Sequence, residues 1–161
     1  MIKKEVKKMN WNGKDTALFL QQKEYIDTAI VPVVPADFGP GMIGAAEQYE
    51  FIQLLVTFLE KQFKGRLLVT PPHAYLPDRD ELVSDATEWT GRLKKVGFKH
   101  VFFFTSDSRW REREQETGAA VIWVPSVPLG DMEDSVKYSL IENQAKQIVN
   151  IIVQKWQENV S

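Results

Sequence analysis

Four times along this chain a short apolar run ends at a polar or proline-rich elbow, and a longer amphipathic or charged segment follows. The apolar runs cover residues 28–34, 66–70, 99–105 and 119–124. Short apolar runs are typical of strands that are covered on both faces, and strands that alternate with helices form parallel sheets. The pattern therefore predicts a three-layer α/β/α sandwich, Rossmann-like or creatininase-like, with a mainly parallel sheet of four or more strands.

The segments around these strands have helical patterns. The predicted helices cover residues 15–24, 44–64, 82–96, 109–117 and 131–159. The third has the clearest apolar stripe, in which every third or fourth side chain is apolar: Leu82, Ala86, Trp89, Leu93 and Val96. Pro32 lies inside the first strand and cannot donate a ladder hydrogen bond, so we expect that strand to be an edge or to bend. No linker or repeat interrupts the sequence, and we expect a single domain over residues 1–161.

The composition removes several classes of function. The chain has no cysteine, which excludes disulfides, thiolate catalysis and cysteine-based metal sites. Its 20 basic residues against 22 acidic ones lack the excess of a dedicated nucleic-acid binder, so we expect no nucleic-acid partner. The longest apolar runs are far shorter than the ~18 residues of a membrane helix. We therefore expect a cytoplasmic protein without a membrane span.

Four segments together resemble a known family. They are YIDTAIVP at residues 25–32, FKGRLL at 63–68, GFKHVFFFTSD at 97–107 and IWVP at 122–125. Over nearly its whole length the chain resembles the YpiF family of Bacillus-type bacteria. That family is a domain of unknown function, so the resemblance implies a bacterial single-domain protein and assigns no catalytic residue.

A weaker resemblance is to creatininase-type amidohydrolases. It rests on the order of a strand ending in Pro, a strand ending in Pro-Pro, and a helix followed by Gly-Phe and an apolar strand. The resemblance implies a metal-binding Glu-x-His near the first elbow and a Gly-His-Gly-Gly type loop after the third strand. Here those elbows are PADFG at residues 35–39 and SDSRW at 106–110. We therefore expect, at most, a shared scaffold without the metal site.

Residues 39–44 have the letters of G-x-G-x-x-G between a strand and a helix, which is the setting of a dinucleotide fingerprint. Pro40, however, removes a backbone N–H that a phosphate would need, and the second strand ends without an acidic residue to hold a ribose. We expect a glycine-rich turn and no cofactor. The alternative left open is that amides opening the helix near Gly44 hold an anion.

The candidate site follows from the fold, because ligands of open parallel sheets bind beyond the carboxyl ends of the strands. Three polar residues directly follow the third strand, although capping a helix needs only one of them. A histidine after the second strand is placed to act as a base, but without a second well-placed histidine we expect no metal. The predicted ligand-binding residues are Asp37, His73, Tyr75, Ser106, Asp107, Ser108 and Trp110.

Three hypotheses about function remain open at this point. The first is a non-catalytic domain that binds a partner protein or a small ligand at the carboxyl ends of the strands. The alternative is a metal-independent hydrolase that uses Asp37, His73 and Asp107 around one pocket, and convergence of these side chains to within about 4 Å would favour it. The third is a homo-oligomeric assembly protein, which would require a large apolar patch on the last helix or an edge strand.

Overall fold

The structure is a computed structural model, and it describes residues 9–63, 65–79 and 82–158. The helices are α1 Gly13–Gln21, α2 Met42–Gln62, α3 Leu82–Val96, α4 Glu114–Thr117 and α5 Asp134–Glu158. The strands are β1 Thr28–Pro35, β2 Leu67–Val69, β3 His73–Tyr75, β4 His100–Thr105 and β5 Ala120–Trp123. A 3-10 turn, Ser108–Trp110, follows β4.

The sheet is parallel throughout the described strands, in the order β2-β1-β4-β5, with β3 also paired to β1. This confirms the predicted α/β fold with a mainly parallel sheet. From β1 the chain first winds to one side, to β2 and β3, and then crosses to the other side, to β4 and β5. The direction therefore reverses between β1 and β4, which is where doubly wound sheets open a crevice at their carboxyl ends.

Strands β2 and β3 form one interrupted edge strand. Ile30 pairs with Val69 and Val33 pairs with His73, so the edge strand uses four residues where β1 uses three, as in a β-bulge. The extra residue falls in the stretch that contains Pro71 and Pro72. The expectation that an elbow follows the apolar run of residues 66–70 is thus partly wrong, since β3 continues the sheet there.

Pro32 lies in an interior strand, because β1 pairs on both of its sides. Thr28 N donates to Arg66 O, and Ile30 O accepts from Thr70 N, so alternate residues of β1 face the interrupted strand. By this alternation Pro32 faces the break between β2 and β3. Its lack of an N–H therefore costs the sheet little hydrogen bonding. The expectation that Pro32 marks an edge strand is therefore wrong, and the break lies in the neighbouring strand.

Apolar side chains of the sheet pack on both faces, which gives the three predicted layers. One face packs against α2 and α5 through residues that include Ile30, Phe102, Phe104, Ile52, Leu55, Ile148 and Trp156. The other face packs against α1 and α3 through residues that include Ala29, Val31, Phe103, Phe19, Ala86 and Trp110. Alternation along β1 and β4 therefore divides their side chains between two cores.

The outer strands each have an outward N–H that is already bonded. On β2, Val69 N donates to the carbonyl of Met9, whose own N–H donates to the buried carboxylate of Glu60 at 2.8 Å. On β5, Val121 N donates to the carboxylate of Glu114 at 2.8 Å. Both edges are thus covered at one position by another part of the chain.

The amino end of the sheet is tied by polar contacts between four residues. Trp156 Nε1 donates to Thr28 Oγ1 at 2.9 Å, and the Arg66 guanidinium lies 3.5 Å from the centre of the Trp156 ring. Arg66 also forms an ion pair with Asp27 at 3.1 Å. These contacts join α5 to the start of β1 and to the turn before β2. Within the described part of the chain, no helix is both long and apolar enough to cross a membrane.

Candidate functional site

The predicted helix over residues 109–117 is instead a 3-10 turn followed by the four-residue α4. The Asp107 carboxylate accepts from Arg109 N at 3.0 Å and starts the turn directly after β4. Trp110 then points into the core, where it is only 2% exposed. The 3-10 turn thus anchors this segment in the core, which accounts for a buried tryptophan among charged neighbours.

Asp107 is the centre of a hydrogen-bonded cluster that links β3 to β4. Its Oδ2 accepts from the Tyr75 hydroxyl at 2.5 Å and from Arg109 Nη2 at 2.8 Å. Arg109 Nη1 donates in turn to the Pro77 carbonyl at 2.7 Å. One arginine therefore joins the loop after β3 to the loop after β4, and it holds the Asp107 carboxylate in a fixed position.

The ionisation of this cluster follows from its contacts. Burial alone would raise the pKa of Asp107, but hydrogen bonds from Arg109 and Tyr75 outweigh it, and the pKa is lowered. Burial raises the pKa of Tyr75, and the hydrogen bond to Asp107 raises it further. At neutral pH the cluster is thus an ionised carboxylate held by a protonated phenol and a guanidinium. Neither Asp107 nor Tyr75 is set up to remove a proton from a substrate.

Trp110 forms the apolar floor of the cluster. Its ring meets the Tyr75 ring edge-on at 5.4 Å and the Phe103 ring at 6.3 Å. The Trp110 indole N–H lies near the Tyr75 hydroxyl, where it favours the phenolate, but it forms no hydrogen bond of regular geometry. Trp110 thus supports the position of Tyr75 mainly by packing.

His73 lies in the buried core and not at the exposed ends of the strands. It is buried on β3, where its ring meets the Trp89 ring of α3 at 5.1 Å and its Nε2 has no hydrogen-bond partner. Burial lowers its pKa, which the nearby Asp85 opposes, so the imidazole is neutral at neutral pH. The centre of its ring lies 6.4 Å from that of Tyr75, so its contact with the cluster is aromatic packing.

Asp37 is occupied within its own loop. Its Oδ1 accepts from Gly39 N at 2.8 Å, and a side chain at residue 41 would displace the same carboxylate. Among the described residues, no hydrogen bond joins Asp37, His73 and Asp107 to one another. The three residues of the hydrolase hypothesis thus have three different surroundings.

Ser106 and Ser108 flank Asp107 with different roles. The Ser106 carbonyl accepts from Trp123 Nε1 at 3.1 Å, while the Ser106 Oγ is buried without a partner. The Ser108 carbonyl accepts from Arg111 N at 3.2 Å, which closes the turn. The structure therefore groups Tyr75, Asp107 and Trp110 closely, with Ser106 and Ser108 beside them and with Asp37 and His73 outside the hydrogen-bonded cluster.

A cavity of about 200 Å³ opens between the turn after β4 and the start of α3. Its lining residues are Arg79, Leu82, Val83, Arg109, Trp110 and Arg113. It lies on the α3 side of the switch point between β1 and β4. A wider surface depression on the other side of Arg109 and Arg113 is also lined by Ser108, Arg111, Glu112 and Glu116.

The arginines of this region are residues that the sequence analysis missed as site residues. Each is held by a different partner: Arg109 by Asp107, Arg113 by Glu116 at 2.8 Å, and Arg111 by the Trp123 ring at 4.4 Å. A signal was present in the alternation Arg-Trp-Arg-Glu-Arg directly after a central strand. Among the described residues, no group of three or more His, Asp or Glu is placed to hold a metal ion.

Comparison with known proteins identifies the family. A family model described as "Protein of unknown function (DUF2487)" matches residues 17–156. The chain belongs to this family. It is also similar to the uncharacterized protein YpiF of Bacillus subtilis (strain 168), with 36% identity over 148 residues, which cover 92% of this chain and 98% of that protein.

Membership of the DUF2487 family confirms the YpiF-family resemblance of the sequence. No solved structure matches the chain significantly, so the creatininase-like scaffold stays a prediction. Because the family is one of unknown function, membership assigns no role to any site residue.

Proposed function

We propose that this DUF2487 chain is a ligand-binding α/β domain, which holds a small molecule in the cavity at the carboxyl end of β4 without converting it. The cavity carries the proposal, because three separate parts of the chain line it: the loop after β3, the start of α3 and the turn after β4. Sites of this kind are typical of the carboxyl ends of parallel strands. Asp107 and Arg109 tie two of these parts together and so keep the cavity formed before a ligand arrives.

The state of the ionisable groups supports binding over catalysis. Asp107 is paired with Arg109, Tyr75 stays protonated, and neutral His73 packs against Trp89. A general base must reach the proton that it removes, either directly or through one water. The hydrolase hypothesis would need Asp37, His73 and Asp107 around one pocket, whereas none of the three lines this cavity.

The test uses the tryptophan side chains as internal reporters. Nitrogen-15-labelled protein is titrated with a fragment library of neutral, cationic and anionic small molecules, and the indole N–H resonances are followed. Trp110→Phe and Trp156→Phe assign the two buried indoles, which lie at opposite ends of the sheet. We expect fragments that shift the Trp110 resonance and leave that of Trp156 in place, because only Trp110 lines the cavity.

A cavity-filling variant supplies the control. Val83→Phe places a larger side chain in the partly buried cavity wall, whereas Val136→Phe makes the same change on the exposed part of α5. We expect Val83→Phe to abolish the fragment response and Val136→Phe to keep it. If no fragment moves the Trp110 resonance at concentrations of about 10 mM, which corresponds to ~3 kcal/mol of binding, the proposal is wrong.

A protein partner is the competing form of this proposal. Phe38, Ile43 and Leu76 are exposed near the ends of β1 and β3, at 75%, 76% and 42% of their full areas. If the fragments fail, and labelled protein in a dilution series instead shows shifts at Phe38 and Ile43, the rim is an association surface. That result would replace the small-ligand proposal.

The proposal includes a cytoplasmic location, a monomer or homo-oligomer without nucleic acid, and no cofactor. The near balance of 20 basic and 22 acidic residues supports the lack of a nucleic-acid partner. Cell fractionation tests the location, and light scattering of the purified chain tests the oligomeric state. Recovery in the membrane fraction would contradict the first of these.

A further inference from the structure

We infer that two copies of this chain associate through an open groove between α2 and the start of α5, here called the α2–α5 groove. Tyr49, Glu50 and Leu54 line it from α2, and Lys137 and Tyr138 line it from α5. Both helices pack on one face of the sheet, whereas the cavity of the proposed function lies beside α3 on the other face. The two surfaces are therefore separate.

Exposed aromatic side chains mark the α2–α5 groove as a contact surface. Tyr49 and Tyr138, on its two walls, keep 45% and 48% of their surface in water. The partly buried Leu54 packs against the core below, and the buried Leu129 also lines the groove. Tyrosine is enriched at protein–protein interfaces and among the residues that contribute most to binding. An apolar base with aromatic walls therefore suits the surface of another protein.

Tyr138 is held in position before a partner arrives. Its ring lies 6.1 Å from the ring of Phe58, which packs against the core from α2. A side chain that is already fixed loses less conformational freedom on binding, so more of its contact energy contributes to affinity. Tyr138 is thus the expected anchor of the contact.

The two walls of the groove carry opposite charges. Glu50 lies on the α2 wall, and Lys137 lies on the α5 wall. Among the described residues these two form no ion pair with each other, and the Lys137 ammonium lies instead 4.0 Å from Asp134, whose side chain is 84% exposed. Such a long, exposed pair contributes little stability, so Lys137 can exchange Asp134 for another carboxylate at a small cost.

This separation of charge makes the groove complementary to itself. In a two-fold dimer each contact between different residues occurs twice, once in each direction. When the two-fold axis runs along the groove, the α2 wall of one copy faces the α5 wall of the other. Glu50 of each copy then meets Lys137 of the other, and Tyr138 meets the wall that carries Tyr49 and Leu54.

A second copy suits the groove better than a strongly charged partner does. One acidic and one basic side chain line the groove, so it has no excess of charge that would attract a strongly acidic or basic surface. When the groove meets its own copy, each of these charges finds its opposite. The charge pattern therefore favours self-association.

Sedimentation velocity of the full chain, between about 5 and about 500 µM, measures this association. We expect the sedimentation coefficient to rise from that of a monomer to that of a dimer and to stop there, because a two-fold interface is closed. A chain that stays monomeric throughout, or that continues to larger assemblies, would overturn the inference.

Charge reversals test the predicted pairing. Glu50→Lys places lysines opposite each other on both sides of the two-fold axis, and Lys137→Glu does the same with glutamates. Each variant weakens self-association by about 10-fold or more at low salt, since two attractive contacts become repulsive. Mixing the two variants restores association to within about threefold of the wild type, because every contact in the mixed dimer joins a lysine to a glutamate.

Matched variants elsewhere on the surface are the controls. Glu142→Lys and Lys146→Glu reverse the charges of an exposed pair of α5 that lies outside the groove lining, and each leaves association within about twofold. Tyr138→Ala weakens association by about 10-fold or more, whereas Tyr25→Ala, at a residue that is 66% exposed and outside the groove, leaves it unchanged. Urea denaturation shows that each variant is folded.

Each other outcome has a definite meaning. If mixing fails to restore association, Glu50 and Lys137 do not face each other and the inference is wrong. If the groove and control reversals weaken association equally, overall charge governs it and the inference is again wrong. If Ile43→Glu abolishes association and the groove variants do not, the interface lies at the end of β1. The fragment response of the Trp110 resonance is measured independently, so the proposed function stands or fails separately.

Discussion

The two ends of the sheet use the same kinds of residue to opposite effect. At the amino end, Trp156 donates its indole N–H to Thr28, and Arg66 both stacks on the Trp156 ring and pairs with Asp27. At the carboxyl end, the buried indole of Trp110 forms no regular hydrogen bond, although Arg109 and Asp107 lie beside it. The amino end is closed by its own side chains, whereas the carboxyl end leaves polar groups unpaired.

The unpaired polar atoms lie at the same end of the sheet as the cavity of the proposed function. The Ser106 Oγ and the His73 Nε2 are also buried without partners; Ser106 directly follows β4, and His73 begins β3 beside Val33 in the second half of β1. Native proteins pair most of their buried polar atoms, so unpaired ones mark places where something besides local stability has shaped the chain. The cavity beside Trp110 lies at that same end.

The largest expected effect is the loss of the carboxyl-end anchor. Trp110→Ala removes a fully buried ring that contacts Tyr75 and Phe103, and we expect the free energy of unfolding to fall by about 3–5 kcal/mol. Urea denaturation measures it. A loss below about 1 kcal/mol, which is typical of surface substitutions, would mean that Trp110 does not anchor this end.

A matched pair of substitutions tests whether the two indole N–H groups differ. Trp156→Phe loses the hydrogen bond that the indole donates to Thr28 Oγ1, although the Thr28 hydroxyl still donates to Asp27, while Trp110→Phe loses no hydrogen bond of regular geometry. We therefore expect Trp156→Phe to cost about 1 kcal/mol more in the free energy of unfolding. Urea denaturation of the two variants under one set of conditions decides it. Equal losses would show that the two indole N–H groups are equally satisfied.

A smaller effect is expected at the charged part of the amino end. Arg66→Gln removes the ion pair with Asp27 and the stacking on Trp156, and we expect a loss of about 0.5–1 kcal/mol in the free energy of unfolding. It leaves the Trp110 resonance and its response to cavity-binding fragments unchanged, because the two ends are separate. A changed response would contradict that separation.

The smallest effect is a difference in acid sensitivity. The pKa of Asp107 is lower in the folded chain than its ordinary value, so its contribution to stability is complete above about pH 5 and is lost as the pH falls through about 4 and below. Because Arg109 is half exposed, we expect this contribution to be below about 1 kcal/mol.

The test measures urea unfolding between about pH 5 and pH 3, a range that covers the titration of an ordinary aspartate, for the wild type and Asp107→Asn. The variant keeps an acceptor for Tyr75 but does not titrate, so its stability falls less steeply with acid. The contribution of His73, whose pKa is also lowered, is present in both proteins and cancels. Identical slopes would show that Asp107 is not stabilised by Arg109 and Tyr75.

The local pattern of apolar residues predicted the three layers, but it did not predict which strands pair. Ile52, Leu55 and Ile148 lie on apolar faces that their spacing predicts, because helix periodicity is a local property. The pairing of His73–Tyr75 with the end of β1 was missed, since each residue pairs with one that is forty positions away in the sequence. The expectation that Pro32 marks an edge strand was wrong for the same reason, because the break lies in the strand beside β1.

The site could be predicted only in part. Asp107 and Tyr75 were expected near the carboxyl ends of the strands, and they form one cluster. The cavity was missed because it needs the start of α3 beside the turn after β4, and no local spacing gives that packing. The sequence analysis predicted a single helix over residues 109–117 and so missed the 3-10 turn at Ser108–Trp110. Arg109 and Arg113, which lie in and after this turn, line the cavity.

The capped edges of the sheet have a consequence for self-association. A neighbouring molecule that tried to add a strand would meet the Met9 carbonyl at Val69 or the Glu114 carboxylate at Val121. It would have to displace a bond already made, and in the second case also bring its own carbonyls towards a negative charge. Strand addition at these two positions is therefore disfavoured, and a homo-oligomer of this chain should form through surfaces other than the edges of the sheet.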